Sequence, residues 1–263
     1  MSGLDGLVTI VTGAASGLGE ATARRFAASG AHVILSDIAA DRGCAIADEI
    51  GQRFVPCDVT DEDQVAALVQ AAVDAHGRLD VMIANAGLLG AVGSVAEIEG
   101  AAFRRTIEVL LTSVFYSIKH AARVMIPQGA GCILTTSSAA GIAALGPLAY
   151  TAAKHGVVGL TKSAASELAR HGIRVNSVAP GTVPSGLTNA VYGSADGVRA
   201  KNERANPLRR GVEADEIAGA FAYLAGPDGR NITGHVLAVD AGLTACPAAT
   251  DYASKDATYV DAS

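Results

Sequence analysis

Seven short aliphatic runs recur along the chain: LVTIVTG, AHVILSD, RFVPCDV, LDVMIANAG, GCILTTSS, IRVNSVAPG and HVLAVDAG. Each is rich in Val, Ile and Leu and lacks the polar alternation of a half-solvated strand. They therefore predict strands buried on both faces. Between them lie segments with apolar residues at helical spacing, such as LGEATARRFAASG, DEDQVAALVQAAVDAHG and ADEIAGAFAYLAG. Strand–helix alternation of this kind predicts an α/β chain with a doubly wound parallel sheet and right-handed crossovers. No linker-like stretch divides it, so one domain is expected over residues 1–243. Two regions break the regularity. Residues 184–210 carry scattered Gly, Asn and Ser and read as a mobile lid or substrate loop. The tail, 244–263, is polar and Ala-rich, which predicts disorder by composition, with folding over a neighbour as the alternative.

Composition sharpens this reading. Of 263 residues, 50% are hydrophobic, 17% charged and 4% aromatic, a mix suited to helices packed closely on a buried sheet. A net charge of −6, with no Lys/Arg cluster, excludes an ordinary nucleic-acid binder. Cys44, Cys57, Cys132 and Cys246 show no metal-like spacing, and the opening MSGLDGLVTIVTG lacks a basic leader. A cytoplasmic, reducing setting is the expectation. Val124–Ala153 contains no charged residue, but two prolines, four glycines and a Thr-Thr-Ser-Ser run interrupt it. It predicts a buried strand, a loop and a helix start, and no membrane span.

The first strand ends in VTGAASGLGEA. Glycine at a strand-to-helix turn permits positive φ and close approach of a pyrophosphate, which the free amides of the following helix can bind. The second strand ends in Asp37, eighteen residues after Gly19. A carboxylate there accepts the adenosine ribose hydroxyls and repels a 2′-phosphate, and no basic residue follows immediately, so NAD is favoured over NADP. As a plainer alternative, Asp37 caps the next helix. Ligands of such sheets bind at the carboxyl ends of strands, which brings in Asp58 by the adenine and the Ala-Asn-Ala-Gly turn at Ala84–Gly87 by the ribose. Asn85 could equally tie two strands together.

With Thr12-Gly13-x-x-x-Gly17-x-Gly19, Asn85-Ala86-Gly87, Ser138 ahead of Tyr150-x-x-x-Lys154, Asn176, Pro180-Gly181 and ITGHVLAVDAG, the chain resembles a single-domain short-chain dehydrogenase/reductase, a Rossmann-type fold. The resemblance implies that Ser138, Tyr150 and Lys154 are catalytic. Implied cofactor contacts are Gly13, Ser16, Gly17, Leu18 and Gly19, then Asp37 with Ile38 and Asp58 with Val59. Asn85, Ala86 and Gly87 follow, with Tyr150 and Lys154 at the nicotinamide ribose. Pro180, Gly181 and Val183 would hold the carboxamide, with Ser185 where the family usually has Thr. On a helix, positions four apart share a face. An ammonium ~4 Å from the phenol interacts by roughly 4 kcal/mol at an effective dielectric of ~20. A fall of two or three units from the usual value of ~10 is therefore expected for Tyr150, making it an acid/base at neutral pH.

The implied activity is NAD-dependent interconversion of a secondary alcohol and a ketone on a small, largely apolar substrate. Similarity to dehydrogenases of cyclic or terpenoid-like alcohols lies in the segments from KHAARVMIP to HGIRVNSVAPGTVPSGL. A homotetramer is implied by analogy through the long helices around Ala101–Met125 and Leu148–Arg170. No metal is expected, since His120 and His155 have no second ligand at a suitable spacing. One position departs from the family. Leu110 stands where an Asn usually bulges the fourth helix and holds a relay water, with Ser113 in place of Gly; Thr112 and Ser113 are the nearest substitutes. An NAD-binding protein without catalysis is the alternative that this departure raises.

Overall fold

The structure, a computed structural model, describes residues 3–245. The aliphatic runs form β1 (Val8–Thr12), β2 (His32–Asp37), β3 (Arg53–Pro56), β4 (Val81–Ala84), β5 (Gly131–Thr136), β6 (Ile173–Pro180) and β7 (Val236–Val239). All pair in parallel in the order β3-β2-β1-β4-β5-β6-β7. The helices are α1 (Gly17–Ala28), α2 (Ala40–Glu49), α3 (Glu62–His76), α4 (Gly100–Ile107), α5 (Ser113–Gln128), α6 (Leu148–Leu168), α7 (Gly186–Tyr192), α8 (Ala195–Ala205) and α9 (Ala214–Ala225).

Successive strand side chains point to opposite faces, so each strand feeds two cores. Ile10, Ile34, Met82, Ile133 and Val175 face α3, α5 and α6. Val11, Leu35, Ile83, Leu134 and Val178 face α1, α2 and α9, where Phe26 and Phe221 fill the layer. Burial on both faces is why the five inner strands read as continuous apolar runs; the edge strands β3 and β7, expected to be buried likewise, are only partly covered. The strand order reverses between β1 and β4, which opens a crevice at the carboxyl ends of the strands.

Two expectations change. Residues 184–210 are not an irregular loop but hold α7 and α8, each begun by a serine that caps it: Ser185 accepts from the Thr188 amide and Ser194 from the Gly197 amide. The long helix near Ala101–Met125 is interrupted by a π-helical turn, Glu108–Thr112, between α4 and α5. The run Gly100–Gln128 is long and apolar enough to cross a membrane, but 56% of its most apolar window is buried inside the fold. Of the tail 244–263, Thr244 and Ala245 fall within the described residues; the expectation for the remainder, Cys246 included, lies outside them.

Candidate active site

The glycine loop closes against its own backbone. Gly13 has φ +67°, and a Cβ there would lie 2.8 Å from Ala86 Cα. A Cβ at Gly19 would lie 2.0 Å from the Gly13 carbonyl oxygen, so no side chain fits. Ser16 is the N-cap of α1 and makes no side-chain cap, leaving the amides of the first turn, Gly17 and Leu18 among them, free for an anion.

Asp37 ends β2, with Oδ2 accepting from the Ala15 amide and Oδ1 from the Ala39 amide, both at 3.0 Å. The carboxylate is thus fixed to the glycine loop, and the N-cap of α2 is Ala39. Each oxygen retains acceptor capacity. Beside it Ile38 is 75% exposed, an apolar wall at the crevice edge. Asp58 accepts from the Thr60 amide at 2.9 Å and hydroxyl at 2.7 Å, bonds that hold its pKa below the usual carboxylate value. Val59 next to it is buried.

Asn85 is a strand tie. Its Nδ2 donates to the Thr12 carbonyl and its Oδ1 accepts from Thr136 Oγ1, both at 3.0 Å, joining β1, β4 and β5. Thr12 Oγ1 in turn accepts from the amides of Asn85 and Ala86. Gly87 follows, and a Cβ on it would lie 3.1 Å from Leu110 Cδ2. Across the crevice, Pro180 ends β6, Gly181 lies against Asp240, and Val183 is buried. A Cβ on Gly17 would approach Ser185 Cβ to 3.5 Å, so the loop after β6 reaches back over the phosphate loop. Asn176, in the middle of β6, ties it to the segment that enters β7, donating to the Ile232 carbonyl at 2.8 Å and accepting from the His235 amide at 3.0 Å.

Ser138 follows β5 and opens a short 3-10 turn, its Oγ accepting from the Ala140 amide at 3.1 Å. Its neighbour Ser137 is buried and donates to the Lys154 carbonyl at 3.0 Å, so its hydroxyl is committed to α6. Tyr150 and Lys154 lie one turn apart on α6. Lys154 is 4% exposed, and its Nζ donates to the Thr136 carbonyl at 2.7 Å while standing 5.6 Å from the Tyr150 ring centroid.

The predicted fall in the Tyr150 pKa does not occur in the protein alone. Burial raises it, and the Ser138 hydroxyl beside it offsets this only in part. The ammonium is turned to Thr136 rather than the phenol. Burial also lowers the Lys154 pKa to about 8, which weakens the charge that was to do the work.

A family model described as Enoyl-(Acyl carrier protein) reductase matches residues 13–244. The chain is 42% identical over 243 residues to "Borneol dehydrogenase, mitochondrial" of Lavandula x intermedia, covering 92% of each chain. The chain belongs to the short-chain dehydrogenase/reductase family. It is also 44% identical over 243 residues to "Cis-4-hydroxycyclohexanecarboxylate dehydrogenase" of Sinomonas cyclohexanicum, covering 90% of this chain and 96% of that one. Among solved structures, levodione reductase superposes with a TM-score of 0.86 at 34% identity, over 91% of this chain and 98% of that one. Short-chain dehydrogenase/reductases are oxidoreductases that work with a nicotinamide cofactor, and the glycine cradle that no Cβ can enter suits the dinucleotide.

Against that family pattern Leu110 is informative. The π-helical bulge forms without the Asn: the Ser113 amide bonds the Glu108 carbonyl, and Ser113 Oγ donates to the Val109 carbonyl at 2.6 Å. Ser113 is therefore spent on the bulge rather than spare for a relay. Leu110 is fully buried and clusters with Val109 and Ala153, against Leu88 and Tyr150. Sequence reasoning missed Thr136, whose hydroxyl holds Asn85 and whose carbonyl holds Lys154. The signal was a pair of threonines closing an otherwise aliphatic strand. His120 bonds Glu62 and His155 bonds the Thr151 carbonyl, and no cluster of metal-ligating side chains occurs among the described residues.

Proposed function

We propose that the chain is an NAD-dependent oxidoreductase interconverting a secondary alcohol and a ketone on a small, largely apolar, cyclic molecule. The observation that carries this is the convergence of Ser138, Tyr150 and Lys154 at the carboxyl ends of β5 and β6, next to the glycine loop. Relatives named for borneol, cis-4-hydroxycyclohexanecarboxylate and levodione support the ring-shaped substrate. The fixed Asp37 carboxylate supports NAD, because a 2′-phosphate would meet a negative charge held by two amides.

When bound, the dinucleotide supplies the hydride acceptor or donor. Tyr150 takes the proton from the alcohol oxygen, or returns it to the carbonyl. Ser138 donates to the same oxygen and steadies its developing charge. Lys154, 5.6 Å from the Tyr150 ring centroid and bonded to Thr136, favours the phenolate form only through space, by the charge it retains. In the reading proposed here the enzyme is cytoplasmic and a homotetramer, with α5 and α6 as the pairing helices.

A second reading, an NAD(H)-binding sensor, has Leu110 and the raised Tyr150 pKa in its favour. An ultraviolet titration of phenolate absorbance in the NAD-bound protein, wild type minus Tyr150→Phe, decides between them. A Tyr150 pKa well below ~10, with oxidation of cyclic secondary alcohols, is expected for the enzyme. An ordinary pKa and no turnover would leave the sensor.

A further inference from the structure

One cation against the loop that leaves β6 has no role in the chemistry above. Lys201, on α8, is half-buried; its Nζ donates to Thr182 Oγ1 at 2.9 Å and stands 5.7 Å from the Tyr192 ring centroid on α7. The next residue, Asn202, is fully buried and donates from Nδ2 to the Thr182 carbonyl at 2.6 Å. Thr182 sits between Gly181 and Val183, in the loop leaving β6. Two consecutive side chains of α8 thus latch the helix to this loop, and one of them is charged.

A neutral donor would serve a latch equally well. An ammonium drawn partly out of water is costly unless an anion meets it, and burial does pull the Lys201 pKa below the ordinary lysine value. Among the described residues no carboxylate oxygen lies within 4.0 Å of it. Of the acidic groups nearby in sequence, Asp196 and Glu213 are held by Arg199, and Glu203, two positions on and exposed, makes no ion pair with Lys201. An ammonium has three N–H donors, and Thr182 accepts from one. The Tyr192 ring, 40% exposed, offers a face to the cation but cannot neutralise it. Helix α8 therefore presents a cation with spare donors, and no ion-pair partner among the described residues, beside the loop that leaves β6.

We infer that Lys201 anchors a carboxylate on the substrate, remote from the carbon that is oxidised or reduced. The substrate class is then a hydroxy acid or keto acid with an apolar body. This rests on the alcohol–ketone reading above and adds the second polar end of the molecule. Lys201 acts on binding and orientation and takes no part in proton or hydride transfer.

The test compares 4-hydroxycyclohexanecarboxylate with 4-methylcyclohexanol, both with NAD, by the ratio of their kcat/KM values. A charge-assisted hydrogen bond predicts a ratio of about 10 to 100 in the wild type. Lys201→Gln, whose amide still reaches for Thr182, should bring the ratio close to one, and Lys201→Arg should restore most of it. Thr182→Val, which removes the hydroxyl that Lys201 holds but leaves the ammonium and the Asn202 bond to the backbone carbonyl, should keep the ratio. A wild-type ratio near one overturns the proposal, as does a collapse of the ratio in Thr182→Val equal to that in Lys201→Gln. So does a Lys201→Gln protein that loses NADH affinity while keeping the ratio, since the anion would then belong to the cofactor. If neither alcohol is oxidised, the alcohol–ketone reading fails separately. Cyclohexanecarboxylate titrated calorimetrically into the NADH-bound protein then decides the anchor: heat of binding lost in Lys201→Gln supports it, and no binding in the wild type overturns it.

Discussion

Replacing Lys154 by Met should stabilise the protein without added dinucleotide, and the gain should depend on pH in a specified way. The ammonium is 4% exposed and is met by one carbonyl, that of Thr136. Its pKa falls from the ordinary 10.5 to about 8, with burial as the cause. At ~1.36 kcal/mol per unit this is a penalty of about 3 kcal/mol on the charged form. At pH 7 both folded and unfolded chains hold the proton, so the folded state carries the whole penalty. By pH 10 the folded lysine is neutral while the unfolded one is still mostly charged, and the penalty falls to about 1 kcal/mol. Stability of the wild type relative to the variant therefore rises between pH 8 and 10. Met also gives up the bond to Thr136, worth about 1 kcal/mol at any pH. The variant should exceed the wild type by about 2 kcal/mol at pH 7 and be roughly equal to it at pH 10. Urea unfolding at fixed protein concentration, with m-values compared to verify equal exposed surface, measures the difference. A stability gap that stays constant or widens from pH 7 to pH 10 would refute the buried, depressed lysine.

Three further substitutions test other parts of the site. Leu110→Asn puts a polar amide into the apolar cluster against Tyr150; turnover should rise with NADH affinity within about twofold, and an unchanged rate would show that the leucine is not a defect. Asp37→Ala removes the carboxylate held by Ala15 and Ala39; the preference for NAD over NADP should shrink by about tenfold or more in parallel dinucleotide titrations, and a variant still rejecting NADP would contradict its role. Gly19→Ala would put a Cβ 2.0 Å from the Gly13 carbonyl oxygen; a folded variant retaining full NADH affinity by fluorescence quenching would show that the loop can open at little cost.

The inner strands were legible because burial on both faces leaves an unbroken aliphatic run, and the glycine loop because backbone contact at Gly13 and Gly19 admits no other residue. Asp37, Ser138, Tyr150 and Lys154 were legible as spacings, and the structure brings the last three to one end of the sheet. The charge state of Tyr150 was not legible. A four-residue spacing fixes the shared helix face but not where the lysine head turns, and that was decided by a carbonyl eighteen residues away in sequence. The helices α7 and α8 were missed for a similar reason: α7 is only seven residues long and α8 is polar, and their starts depend on local caps, a Ser185–Thr188 capping box and Ser194. Asn85 was left open between tie and ligand contact. Its tie became visible only with Thr12 and Thr136 placed on either side.

The π-helical turn also sets what the chain can tolerate in length. One residue added to a helix advances everything after it by about 100° around the axis. Residues 108–112 absorb that rotation between α4, which packs on α6, and α5, which turns Val114, Ile118 and Ala121 into the sheet layer. Deleting a single residue from this turn would straighten the helix and leave those three side chains facing the sheet layer, whereas inserting one or deleting two would turn them away by about 100°. Removing two or more would also shorten the span between β4 and β5. Length variation at 108–112 is therefore limited by geometry to the one residue that the turn takes up, and any other change in number would re-aim α5 against the sheet.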